Sequence, residues 1–345
     1  MSEASATLAA PAQPSLSMLP FEQQIYLRSP LGFFATTAVI FAVAFGSFLV
    51  AATIAHVPIL LATNPLSGAA WPAFVLSLLC TAALAMQRYG RIAEARDVAA
   101  YARILTGGMQ SALDLTSVMA RNLHLRLPTL FGLVIGLAIS PLLHVGGPHE
   151  SVLMLIWFGA ATTLLVVLFT RGVAQSRAGN AGYKLMLDAE LKIDLLRTDT
   201  LSVLGRSAAR TALIWFIISA ISCLFFVGGD INWLTMLLIV SCVAMGLILF
   251  ISIMNRIHRQ IVTVKRAELE QIRLRIDLLR SSLHEDAFAS AKLHGLLAYE
   301  KRISDAPEWP FDQSTIVRIG AYILIPTVPW FGQAIVQYYI EHLGH

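Results

Sequence analysis

No Asp, Glu, Lys or Arg stands between Arg28 and Arg88, between Arg126 and Glu150, or between Glu150 and Arg171. The same holds from Arg210 to Asp230, from Asp230 to Arg256, and from Arg318 to Glu341. A soluble domain carries about 25% charged residues. This chain of 345 residues carries 13%, against 57% hydrophobic, and its mean hydropathy is +0.69. That balance excludes a water-soluble globule.

Cysteine is scarce as well. Cys80, Cys223 and Cys242 all fall inside apolar runs, with no redox or metal-ligand spacing. A disulfide framework and a thiolate metal site are both excluded, and the three read as small buried apolar residues. A phosphate-binding glycine loop, a zinc-protease helix and a nucleophile elbow are missing too. The segments between apolar runs are too short and too helical for a catalytic domain, so the expectation is a non-enzyme with no cofactor and no bound metal. No expected span carries an Asp, Glu, Lys or His near its middle, as a proton- or ion-coupled carrier would need. Residues 1–20 have no basic start, which speaks against a cleaved signal peptide, and they read as disordered.

About 20 apolar residues cross a bilayer as a helix. The charge-free runs predict an all-α, polytopic membrane protein of about seven transmembrane helices, near 31–54, 70–87, 128–144, 151–170, 209–227, 232–255 and 315–340. The first run holds two spans and breaks at His56-Val57-Pro58 and again at Asn64-Pro65. All 25 Lys and Arg lie at Arg28 or within 88–126, 171–210 and 256–318. Basic residues resist translocation. The pattern therefore predicts an N-terminus in the cytoplasm, a C-terminus outside, and long cytoplasmic amphipathic helices. Twenty arginines to five lysines point to a GC-rich bacterial genome, hence a bacterial inner membrane. The net charge of +4 follows from this topology, and no nucleic-acid partner is expected.

The chain divides into a disordered 1–20, three hairpin-plus-helix units (21–124, 125–208, 209–302), and a connector with a final broken span (303–345). Leu191-Lys192-Ile193-Asp194-Leu195-Leu196-Arg197 returns as Leu274-Arg275-Ile276-Asp277-Leu278-Leu279-Arg280, and Leu113-Asp114-Leu115 is a fainter echo. This is an internal repeat of near 80 residues. The long charged helix of the third unit is expected over 257–302. Its stripe of Leu269, Ile272, Ile276, Leu279 and Leu283 shares one face and is a candidate assembly face, within one subunit, between subunits, or both. The spacing Asp194/Arg197 and Asp277/Arg280 suits a local ion pair or, less simply, an acidic vestibule.

Two further features carry hypotheses. Gly132 and Gly136 have the spacing that lets helix backbones approach closely, within a subunit or between two. Pro326 and Pro329, with Gly332 and Gln333, interrupt the last apolar run. Irregular backbone at membrane depth survives only against protein or water, which makes these four a candidate pore or hinge. The acids and histidines assigned outside (His56, His144, His149, Glu150, Asp230, Glu341, His342, His345) have no metal-site spacing and read as scattered loop residues. The expected function is an oligomeric channel or passive conduit for an ion or small solute. The alternative is a membrane-anchored scaffold that binds a cytoplasmic protein through the striped helices. The expected partners are the lipid bilayer and further copies of the chain.

Overall fold

The computed structural model describes residues 20–59, 68–108, 125–144, 151–188, 194–195, 201–228, 233–281 and 287–309, with 317, 320–322 and 324. Among the described residues there is no strand. The helices are α1 (Phe21–Arg28), α2 (Phe33–Ile54), α3 (Ala70–Ile104), α4 (Arg126–His144), α5 (Val152–Asp188), α6 (Ser202–Cys223), α7 (Trp233–Ser281) and α8 (Ala287–Ser304).

Local chemistry sets the ends of α2. At its start Ser29 Oγ accepts from the Leu31 N–H at 3.2 Å and from Thr36 Oγ1 at 2.8 Å. At its end Val57 N–H donates to Ala52 O at 3.1 Å and His56 N–H to Thr53 O at 3.3 Å. With His56 at φ 50 this is the paired-bond C-cap that usually takes glycine, and Pro58 follows it. His56 therefore serves as a helix stop.

Among the described residues, five helices are long and apolar enough to cross a membrane: Phe33–Ile54, Ala70–Ile104, Val152–Gly179, Ser202–Phe226 and Thr235–Arg280. Only 17% of the α2 window and 28% of the α7 window are buried in the protein. Side chains such as Phe34, Val43, Val240 and Ile248 face outward. Water would not tolerate such a belt, and lipid does. These are the helices of an integral membrane protein. The third expected span, α4, is apolar over the shorter Arg126–Pro141. It runs antiparallel to α5, with Pro128 beside Thr170, Gly136 against Thr163 and Ser140 against Gly159. The seventh expected span lies almost wholly outside the described residues.

Three of the spans do not stop where their apolar part stops. α3, α5 and α7 have 35, 37 and 49 residues. At 1.5 Å per residue the last is about 74 Å long. Each carries its Arg-rich portion past the apolar layer on one side, the basic side. α3 ends at Ile104, before Gly107-Gly108, where Gly108 has φ 60.

Two large apolar cores result among the described residues, beside two small ones around Trp215 and Phe226. One joins α2, α3 and α5 through Phe48, Leu79, Met154, Phe158 and Leu168. The other lies at the basic side and joins Tyr101 and Ile104 of α3, Leu204 of α6, Ile257, Ile261, Ile272 and Ile276 of α7, and Ile303 of α8. The charged helix expected over 257–302 is two helices. α8 folds back antiparallel on α7, with Arg273 Nε bonded to Glu300 at 2.9 Å and Tyr299 OH to Glu268 at 3.2 Å. Nearer the spans, Lys265 Nζ bonds Ala306 O at 2.9 Å, and the His258 ring stacks on Trp309 at 4.1 Å. The reason is the stripe itself: a half-apolar helix this long leaves its isoleucines in water unless another element covers them.

Candidate functional site

Where α3, α5, α6 and α7 leave the apolar layer, they splay enough to enclose a cavity of about 110 Å³. Small residues create the room. A Cβ on Gly172 would come no closer than 3.8 Å to Gln87 and 3.9 Å to Trp215, and one on Gly179 would meet nothing within 4 Å. Gly90 of α3 lines the same space.

The polar wall comes from α3 and α5. Gln87 Nε2 donates to Leu168 O at 3.2 Å, and Gln87 Oε1 accepts from Gln175 Nε2 at 3.0 Å. At the next residue, Ser176 Oγ accepts from Trp215 Nε1 at 3.3 Å. The other walls are Leu165, Phe169, Ile218 and Leu249. At the rim Arg91 and Glu94 form their own ion pair at 3.2 Å. The arrangement is a one-sided vestibule with neutral hydrogen-bonding groups on one wall and hydrocarbon on the others. What its described lining offers a bound molecule is hydrogen bonds on one side and apolar contact on the others.

On an adjoining face of α5 lies a nearly closed ion pair. Arg171 makes a two-bond ion pair with Glu22 of α1, with Nη2 to Oε2 at 2.8 Å. Its Nη1 also donates to Thr129 Oγ1 of α4 at 2.7 Å, and its guanidinium lies over the Phe21 ring at 4.7 Å. The side chains of Arg171 and Glu22 are 7% and 1% exposed. A second pair, Arg210 with Asp97, ties α6 to α3.

Of the residues singled out from sequence, Pro326, Pro329, Gly332 and Gln333 lie outside the described residues, as do Leu283 and Asp114. Ile272 and Ile276 are buried at the basic side with Leu269 packed beside them, and Leu279 is half-buried. This much of the stripe is covered within one chain. Asp194 and Asp277 are exposed, and no ion pair joins Asp277 to Arg280. Gly132 and Gly136 pack inside the chain: a Cβ on either would sit 2.8 Å from the Cα of Val167 or Thr163 of α5. Most span hydroxyls bond within their own helix or to a neighbour, as Ser222 to Ile218 O at 2.8 Å and Ser219 to Ile239 O at 3.4 Å. Ser77, Thr81 and Thr163 have no partner.

Sequence reasoning passed over the vestibule residues. Gln87 and Gln175 are 88 positions apart, and each sits among arginines where an interfacial amide is unremarked. Their one common signal is a glutamine within four residues of the first arginine after an apolar run. No protein-family model matches the chain, and comparison with curated proteins and with solved structures finds no significant match.

Proposed function

We propose that this integral membrane protein is an oligomeric passive conduit for a small solute, with the vestibule as its inner mouth and the basic side in the bacterial cytoplasm. The observation that carries the reading is the cavity with one hydrogen-bonding wall, shared by four helices at the level where they leave the apolar layer. On this reading the packed core of Leu76, Leu79 and Phe158 closes the path above it. Topology with basic segments inside follows from the cost of translocating them.

Solute-driven swelling of proteoliposomes tests the reading. Gly172→Leu, which fills the vestibule, is expected to abolish uptake, while Gly172→Ala keeps it, because a methyl fits in ordinary contact. Vesicles with wild-type protein that stay as tight as empty ones under every gradient applied would count against a conduit.

One observation favours the scaffold reading instead. Leu274 and Leu278 stand one turn apart on α7, 60% and 72% exposed, beyond the apolar layer. A partner, or a second copy, would cover them. Leu274→Ser with Leu278→Ser should leave the fold intact and remove that association. An unchanged oligomer mass and unchanged co-purifying proteins would sink it.

A further inference from the structure

The vestibule also constrains what it takes. We infer that it is a site for a small uncharged solute with hydrogen-bonding groups along one edge, a polyol or an amide; the inference rests on the reading of this cavity as the inner mouth of a conduit. Three properties of the cavity lead there.

The first is size. A cavity of roughly 150 Å³ holds a benzene-sized molecule. At about 110 Å³ this one suits a solute of about four to six non-hydrogen atoms.

The second is charge. Arg91 and Glu94 neutralise each other at the rim, where their side chains are 23% and 40% exposed. Deeper in, the polar lining is Gln87, Gln175, Ser176 and Thr211, none of which is charged. An ion moving in would trade hydration for Leu165, Phe169, Ile218 and Leu249 without meeting an unpaired opposite charge, at a cost in free energy. A neutral molecule is spared that cost.

The third is the hydrogen-bonding pattern. Gln87 is held from both ends, donating to Leu168 O and accepting from Gln175. That fixes the Gln175 amide with its Oε1 as an acceptor for an incoming group. Ser176, already accepting from Trp215 Nε1, has its hydroxyl hydrogen to give. Neighbouring acceptor and donor match a hydroxyl or an amide, which can give and take at once. The hydrocarbon wall opposite suits the C–H side of the same molecule.

Saturation-transfer NMR on the full-length protein in lipid nanodiscs tests this with glycerol and lactate. The two are alike in size and differ by one negative charge. Saturation is expected to reach glycerol and not lactate with the wild type and with Gly172→Ala, and to be lost with Gly172→Leu. Gln175→Leu, which keeps the bulk and deletes the acceptor, should weaken glycerol binding about fivefold, the equivalent of one hydrogen bond. Equal or stronger transfer to lactate, no transfer to glycerol, or glycerol transfer indifferent to both variants would overturn the proposal. The conduit reading falls separately. Glycerol binding in a protein whose vesicles never swell removes the conduit and leaves the solute class. Vesicles that pass potassium while glycerol fails to bind do the reverse.

Discussion

Glu22→Ala is expected to cost the folded protein about 3–5 kcal/mol, because it strands the Arg171 guanidinium without a countercharge in a nearly closed site. Arg171 is 7% exposed, and Thr129 with the Phe21 ring remains to it as neutral company only. Removing one member of a buried pair leaves the desolvation penalty of the other in place. Glu22→Gln keeps the bulk but only one of the two accepted hydrogen bonds, because its NH2 faces the guanidinium as a donor, and it should lose a large part of the same stability. Arg171→Met combined with Glu22→Met should recover most of it, since replacing a buried pair by apolar residues of similar volume is often neutral. Thermal unfolding in detergent, followed by size-exclusion recovery, is the measurement. Single variants as stable as wild type would mean that α1 is not held by this pair. The consequence reaches the vestibule as well, since Arg171 precedes Gly172 and the ion pair fixes the rotation of α5 about its axis.

Gly136→Leu is expected to be strongly disruptive within the apolar layer, as is its counterpart one turn earlier, Gly132→Leu. At Gly136 the first side-chain carbon would fall 2.8 Å from the Cα of Thr163 and 3.0 Å from its Cγ2. Backbone cannot move aside as a side-chain tip can, so α4 must shift bodily from α5, at a cost of about 3 kcal/mol or more. Gly46→Leu is the control. Its Cβ would meet nothing within 4 Å, so it should be neutral or slightly stabilising through helix propensity. The ratio of folded to aggregated protein after mild heating reads both. Equal behaviour of the two variants would show that α4 and α5 are not in the contact described.

The apolar layer and its boundaries were legible because lipid enforces a crude rule. A span must be long, apolar and free of charge, and each of these is a property of consecutive residues. Phe33–Ile54 and Thr235 onward therefore stand out from the text alone. The charged extensions were legible for a similar reason: the 3–4 spacing of Leu269, Ile272 and Ile276 is a one-dimensional mark of a helix face. The fold-back of α8 was not, because the stripe says that a face will be covered and says nothing of what covers it. Arg273–Glu300 and Lys265–Ala306 are contacts across 27 and 41 positions, and nothing in the local sequence distinguishes them from solvated charges.

The opening absence of charge thus determined by itself that this is a helical membrane protein with its basic residues gathered on one side. Tertiary structure decided where polarity is placed inside that frame. It set Gly136 within the chain against Thr163, buried Glu22 beneath Arg171, and brought Gln87 to Gln175 around a cavity. The physical reason is range. Hydrophobic thickness acts on every residue of a segment at once and so is written in composition. A hydrogen bond acts over about 3 Å, so residues 88 or 149 positions apart become a site only when helix packing brings them together.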